Sequence, residues 1–238
     1  DAALKAHFEY DMLRDADISA TGNAALHNGR FTLVLAQCAQ TQIGTVRAGR
    51  STMARRVAGI ICPNANTPLI ASDADGWTAA GLAENLSAEI PMATAKLSGA
   101  DGAFVFQAQG PGASQGKVQI AHARITDMTR SPRFRPLSGG ATVMLANKRV
   151  TGEATMAGKH GARVGRVTFV HDLNSGAGKA DIAARDVHFD PKGLQPADLS
   201  PLLAQVRKAK GSARGTGSVA WTRRGTTSHG VLEIAELD

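Results

Sequence analysis

The first candidate for chemistry in this 238-residue chain is the serine of "GASQG", residues 112–116. The stretch matches the G-x-S-x-G pattern of a serine nucleophile, which stands between a strand and a helix. Here "FVFQA" precedes the pattern and "KVQIAHA" follows it, and both alternate apolar and polar residues as strands do. The sequence therefore predicts a strand–turn–strand hairpin around Ser114 and no nucleophile.

The seven histidines form no recognisable metal-binding motif. None is paired at the spacing of H-x-x-x-H or H-E-x-x-H. His171 and Asp172 are adjacent, so on a strand they point to opposite faces. His188 and Asp190 share a face but have no third ligand nearby. We therefore expect no catalytic residue, no metal and no cofactor.

The two cysteines, Cys38 and Cys62, are too few for a disulfide-stapled scaffold, and their separation is not that of metal ligands. In an oxidising compartment they can form one disulfide. Two buried free thiols explain their presence equally well. The sequence leaves both alternatives open.

Composition excludes several classes of protein. The net charge is +7, but the basic residues are scattered, and one Tyr and two Trp are too few to stack bases, so we expect no nucleic-acid partner. The longest apolar run, Val57 to Cys62, is far shorter than the ~20 residues that span a bilayer. The chain lacks an initiating Met and ends in the strand-like "HGVLEIAELD". We expect it to be a segment of a longer protein, with any anchor or targeting sequence outside it.

Period-two alternation dominates the rest of the chain, as in "RFTLVLA", "KVQIAHA" and "RGTGSVAWT". Turn sequences such as "HNG" and "NKR" separate these runs, which predicts roughly 12 to 16 strands in an antiparallel meander. The best helix candidate is residues 199–210, with Ser200 as N-cap, Pro201 in the first turn and Gly211 after the end. A weaker candidate is residues 76–87. The fold class is therefore all-β, with one or two short helices.

Such a sheet has a large apolar surface that must be shielded from water. Each strand has one apolar face, and two short helices cannot shield so many strands from water. The sheet can close on itself as a sandwich or barrel. Alternatively, something other than protein covers the apolar face.

The C-terminal third resembles the YdbH family, a branch of the AsmA-like group that includes TamB. The resemblance lies in four ordered stretches, "FVHDLNSGAGKADI", "HFDPKGLQPADLSPLLA", "GSARGTGSVAWT" and "SHGVLEI". One departure is "RKAKG", residues 207–211, which is more basic than the usual family sequence. The residues that match are His171, Asp172, Leu173, Gly176, Gly178, Phe189, Gly193, Leu194, Gln195, Pro196, Leu199, Pro201, Leu202, Gly211, Gly215, Gly217, Trp221, Ser228, Gly230 and Leu232.

The resemblance implies a repeating β-groove, a long sheet curled into an open trough that carries phospholipid acyl chains. It implies a periplasmic location, with a parent protein anchored in the inner membrane and reaching towards the outer membrane. We divide the groove into a hairpin segment, residues 1–160, and a C-terminal segment, residues 161–238, that form one continuous unit. The residues expected to face the lipid are Val118, Ile120, Val143, Leu145, Val167, Phe169, Ile182, Val219, Trp221, Leu232 and Ile234.

Two other hypotheses compete with lipid transport. A structural β-solenoid or adhesin-like stalk would use the same strands but fill its interior with protein side chains. A carbohydrate-active β-sandwich enzyme would need two carboxylates converging in a cleft. Neither Glu84 with Glu89 nor Glu233 with Glu236 fits that requirement, so we favour the groove over the enzyme.

Overall fold

The computed structural model describes residues 2–10, 13–48, 51–64, 67–110, 114–206 and 208–235, and they form one antiparallel sheet. Its fifteen strands confirm the all-β fold class. In the described residues, helical structure comprises α1 (Pro196–Leu199) and 3-10 turns at Pro91–Ala93, Lys159–Gly161 and Pro201–Leu203. The strands are β1 (Ala2–Tyr10), β2 (Leu13–His27), β3 (Arg30–Leu35), β4 (Ala39–Ala48), β5 (Ser51–Cys62), β6 (Ile70–Ser72), β7 (Gly76–Ile90), β8 (Ala95–Gln109), β9 (Ser114–Asp127), β10 (Leu137–Ala146), β11 (Arg149–Ala157), β12 (Arg163–Asp172), β13 (Gly178–Phe189), β14 (Gly211–Thr222) and β15 (Gly225–Ala235).

The topology is a meander in which two of the long strands are interrupted. β3 and β4 both pair with β2, along its second and first halves respectively. β6 pairs with β3, and β5 pairs with β4. β7 then pairs with both β5 and β6. β3–β4 and β5–β6 are therefore each one long strand with a single break. From β7 to β15, every strand pairs with the next one along the chain.

Two of the hairpins close with tight two-residue turns. Asn28 and Gly29 have φ of 49° and 73°, and Asn147 and Lys148 have φ of 51° and 57°. Two successive left-handed residues form the type I′ turn, whose twist matches that of paired strands. The turns predicted at "HNG" and "NKR" are thus confirmed.

The sheet curls so that one of its faces turns inward. His171 in β12 contacts Ser51 in β5, although five strands separate β5 from β12 in the sheet. His171 pairs in register with Val150, which pairs with Leu145, and all three side chains are buried. We call the face that carries Leu145, Val150 and His171 the inner face, and the opposite one the outer face.

Two hydrophobic clusters of side chains cover parts of the inner face. The first surrounds Leu69, which precedes β6, and the second lies under the connection from β13 to β14. The inner face of β9 to β12 lies between them, and its aliphatic side chains are mostly only half-buried. The buried members are Ala20, Leu33, Leu35, Ala39 and Leu69 in the first cluster, and Val187, Phe189, Leu194, Ala209 and Ala213 in the second.

Both helix predictions are wrong in detail. The expected helix at 199–210 is replaced by α1 and the 3-10 turn Pro201–Leu203, with extended backbone at Ser200 between them. Ser200 caps this turn as expected, since its hydroxyl accepts from the Leu202 N–H and extended backbone is normal for an N-cap, but the helix does not continue after Leu203. Residues 76–87 belong to β7, because pairing with β8 on one side and β5 and β6 on the other overrides their helical pattern.

A disulfide joins Cys38 and Cys62 where the two long strands are interrupted. Cys38 lies between β3 and β4, and Cys62 is the last residue of β5. Their neighbours Ala39 and Ile61 are paired across β4 and β5, so the bond continues the ladder beyond its last backbone pair. The structure therefore has the disulfide and not two free thiols.

Replacing both cysteines, as Cys38→Ser with Cys62→Ser, should lower the free energy of unfolding by about 2–4 kcal/mol. The bond closes a loop with a sequence separation of 24, and a loop of that size loses appreciable entropy when it is closed in the unfolded chain. Urea unfolding with and without reductant measures the effect. The reduced wild type should match the double variant, and an unchanged midpoint on reduction would contradict the assignment.

Candidate functional site

All eleven side chains expected to face lipid lie on the inner face. Val118 pairs with Val143, Leu145 pairs with the inner-face residue Val150, and Val167 pairs with Ile182. The remaining members follow from the same ladders, which run unbroken from β9 to β15. The alternation along each strand thus places them together, and the pairing of strands turns short stripes into one surface.

This surface carries no formal charge along β10 to β15, in the strands as the structure describes them. Its inward positions are aliphatic, aromatic, Ala, Gly, Ser or Thr, with His171 as the one titratable group there. The outer face of the same strands bears ion pairs, Arg166 with Glu153 and Arg214 with Glu233. Exposed pairs of this kind add little stability, but they show which face suits water.

Aromatic rings on the inner face lie flat against glycines of the neighbouring strand. Phe106 is paired with Gly116, Phe169 with Gly152, and Trp221 with Gly178. A Cβ at any of these glycines would overlap the ring opposite it. The glycines therefore let the rings fold down onto the sheet, so that large side chains line the surface without protruding far from it.

His171 joins three strands at the end of β12. The Trp221 indole Nε1–H can only donate, and it lies 3.1 Å from His171 Nδ1, which must therefore be the acceptor. The imidazole proton is then on Nε2, which donates to Ser51 Oγ at 3.2 Å. Burial lowers the pKa of His171, and the neighbouring Asp172 carboxylate partly opposes this effect. The neutral ring is thus a structural clasp between β5, β12 and β14.

The residues examined for catalysis or metal binding stay apart. Ser114 begins β9 with no helix after it, and Gly112 and Ala113 of the same pattern lie outside the described residues. His188 is exposed on β13, while the Asp190 carboxylate accepts from the Lys192 backbone N–H in the following turn. Glu84 lies beside Cys38 and Cys62, but a disulfide offers no thiolate to a metal.

The carboxylates considered as catalytic pairs of a carbohydrate-active enzyme also stay apart. Glu89 is paired with Arg56, and Glu233 is paired with Arg214. Glu236 lies outside the described residues. Among the described residues, these pairs leave no two carboxylates facing each other across a cleft.

Two surface clefts are lined by residues of the sheet and its connections. One of about 510 Å³ is lined by Gln119, Thr142 and Glu153 of the outer face, where the strands bend. The other, of about 430 Å³, lies next to the clasp between Ser51, Leu173 and Arg223. In the second cleft, the Ser51 hydroxyl faces the protonated Nε2 of His171, which cannot accept its proton. The uncharged, half-covered inner face is therefore the stronger candidate for a functional surface.

The sequence model of the YdbH-like family, described as intermembrane phospholipid transport protein YdbH, matches residues 16–238. The chain belongs to the YdbH-like family. The match covers nearly the whole chain, so the family extends well beyond the C-terminal third in which the resemblance is evident by eye. No curated protein and no solved structure gives a significant match.

Membership of the YdbH-like family places the chain among intermembrane phospholipid transport proteins. In the described residues, no helix is both long and apolar enough to cross a bilayer. The family motifs also gain a structural meaning. His171 and Trp221 form the clasp, and Gly178 receives the Trp221 ring. Gln195 bonds to the backbone of Asp190, Leu194 and Ala209, and so closes the base of the β13–β14 connection.

Several inner-face residues escaped the sequence analysis. Phe104 and Phe106 alternate correctly, but alternation alone does not say which face turns inward. The contact between Ser51 and His171 spans 120 residues, and no local pattern announces it. The glycine–aromatic pairs depend on strand register, which only the paired sheet reveals.

The substitution Gly152→Val should destabilise the fold by about 1–3 kcal/mol, because the new side chain displaces the Phe169 ring from its resting place. Thermal unfolding measures the change. The control is Gly217→Ala on the same face, where an added Cβ meets only ordinary contacts. Equal melting temperatures for Gly152→Val and Gly217→Ala would show that the ring does not rest on the glycine.

The substitution His171→Gln should flatten the dependence of stability on pH in the acid range. The pKa of folded His171 lies below its unfolded value of about 6.5, so the unfolded chain binds more protons. The free energy of unfolding of the wild type therefore falls as the pH drops below about 6.5. It stops falling once the pH is below the pKa of folded His171. Urea titrations between neutral pH and mildly acidic pH test this. An unchanged slope in His171→Gln would contradict the clasp.

Proposed function

We propose that the inner face of the curled sheet shields phospholipid acyl chains during transfer between the inner and outer membranes. One observation carries the proposal: a continuous, uncharged surface crosses strands β10 to β15, and protein covers only parts of it. Family membership supports phospholipid as the cargo. The chain would be one stretch of a longer periplasmic protein anchored in the inner membrane.

The energetics favour such a surface for hydrocarbon. Each CH₂ group removed from water contributes ~0.8 kcal/mol, so one chain of about 16 carbons gains on the order of 12 kcal/mol from full shielding. A carrier must spread that gain evenly, because a deep local well would trap the cargo. Flat rings and small side chains provide even contact, while the open side leaves headgroups in water.

The inner face opens towards β15. Ile234 is 56% exposed on the inner face, whereas Val231 is 51% exposed on the outer face of the same strand. The two residues are similar in chemistry, exposure and position along the chain, and they differ in the face they occupy. They therefore form a matched pair for testing which face meets lipid.

A photo-crosslinking amino acid at Ile234 should capture phospholipid in cells, while the same group at Val231 should give at least about tenfold fewer adducts. Mass spectrometry of the purified protein identifies the adducts. Aspartate at Ile182 or Val219 should reduce lipid recovered with the folded protein, because a buried carboxylate next to hydrocarbon is costly.

Folding of every variant is checked by circular dichroism and thermal unfolding. Equal labelling at Val231 and Ile234 would contradict the assignment of the lipid-facing side. Complete absence of lipid at both positions in folded protein would instead favour the structural stalk, whose interior needs no cargo.

A further inference from the structure

Three connections lie together where strands β9, β11 and β13 end, and we call the surface that they form the basic tip. They are residues 128–136 after β9, residues 158–162 after β11 and residues 190–210 after β13. The Ser200 hydroxyl donates to the Arg133 carbonyl at 2.6 Å, and the Arg135 N–H donates to the Leu199 carbonyl at 2.8 Å. Lys159 pairs with Asp198 at 3.5 Å. The three connections therefore form one surface.

Strong internal bonds hold the first of these connections in shape. The Asp127 carboxylate accepts from the Thr129 and Arg133 backbone N–H groups and from the Arg133 guanidinium. The Arg133 guanidinium lowers the pKa of Asp127, and the carboxylate stays charged well into the acid range. The tip is therefore ordered before any partner arrives.

The basic tip has an excess of positive charge. Without Arg207 and with Asp127, which binds the first connection, the tip carries seven Lys and Arg against three Asp, a net charge of +4. Arg133 and Lys159 are used in ion pairs, with Asp127 and Asp198. Within the described residues, the other five exposed cations have no carboxylate partner, and they are Arg130, Arg135, Lys192, Lys208 and Lys210.

Apolar side chains stand among these cations. Leu202 is 76% exposed and Leu203 is 38% exposed in the 3-10 turn Pro201–Leu203, and Met128 is 44% exposed in the first connection. Leu202 therefore has most of its surface in water, and Leu203 beside it has more than a third. Leucines that can enter the acyl boundary, surrounded by cations that can reach phosphates, have the chemistry of an interfacial membrane contact.

We propose that the basic tip docks on the surface of a bilayer that contains anionic phospholipid. Leu202 and Leu203 enter the boundary between headgroups and acyl chains, and the five cations contact lipid phosphates. Charge complementarity selects this partner, because an acidic protein surface would satisfy the cations but would leave the leucines in a polar environment. The proposal goes beyond acyl-chain shielding, since it concerns the basic tip and not the inner face.

The test is flotation of the full chain with phosphatidylcholine vesicles made with and without phosphatidylglycerol. The chain should float with the anionic vesicles, and high salt should weaken binding. Leu202→Asp with Leu203→Asp should reduce binding by about tenfold or more. The control is Leu26→Asp, which removes a leucine of equal exposure, 76%, from the β2–β3 hairpin.

The charge contribution has its own pair of variants. Arg130→Glu with Arg135→Glu should also reduce binding by about tenfold at low salt, since each basic side chain at a membrane surface contributes roughly 1 kcal/mol. Lys117→Glu with Lys148→Glu makes the same charge change near the opposite ends of β9 and β10, and should bind like the wild type. Circular dichroism and melting confirm that all variants fold.

Each other outcome overturns the proposal. These outcomes are no flotation of the wild type, equal flotation with neutral vesicles, or tip variants that float normally. If the wild type binds no vesicles and the leucine variant loses self-association in size-exclusion chromatography, the leucines form a contact between copies of the chain instead. Lipid adducts at Ile234 report on the inner face alone, so failure of the tip and failure of acyl-chain shielding give different results.

Discussion

The apolar faces of the strands must be shielded from water, and this requirement constrains the rest of the structure. In the part of the chain that the structure describes, no helical layer covers the fifteen half-apolar strands, and curling the sheet shields part of their apolar faces. Curling brings β5 to β12 and buries residues such as Leu145 and Val150, but most aliphatic side chains on the inner face of β9 to β12 stay only half-buried. Along β10 to β15 the inner face therefore stays apolar, uncharged and only partly covered.

Glycine and aromatic residues make this arrangement compatible with function. A ring that stood upright would divide the inner face, whereas Phe169 and Trp221 lie down over Gly152 and Gly178. The abundance of glycine is thus more than a compositional bias, since several glycines occupy positions that no other residue can take. The cost of glycine in a strand is offset by the ring packed upon it.

Four covalent or polar contacts fix the breaks and connections of the sheet. The disulfide ties the two interrupted strands, the His171 clasp joins distant strands, and Asp127 and Gln195 shape the connections at the basic tip. Each of these features satisfies its own hydrogen bonds or covalent geometry locally. The result is a neutral inner face bounded by ordered, charged ends, which suits a molecule whose cargo has an apolar body and an ionic head.

Alternation along the chain determined the all-β class, the turns at "HNG" and "NKR", and the grouping of the eleven inner-face residues, because a strand's side chains follow a strict period of two. The helix predicted at 199–210 ends after Leu203, and the one predicted at 76–87 is part of β7, where strand pairing overrode local preference. Only the folded sheet decided which face turns inward, which cysteine alternative holds, and that Ser51 meets His171. These depend on register and curvature, which arise between strands far apart in sequence.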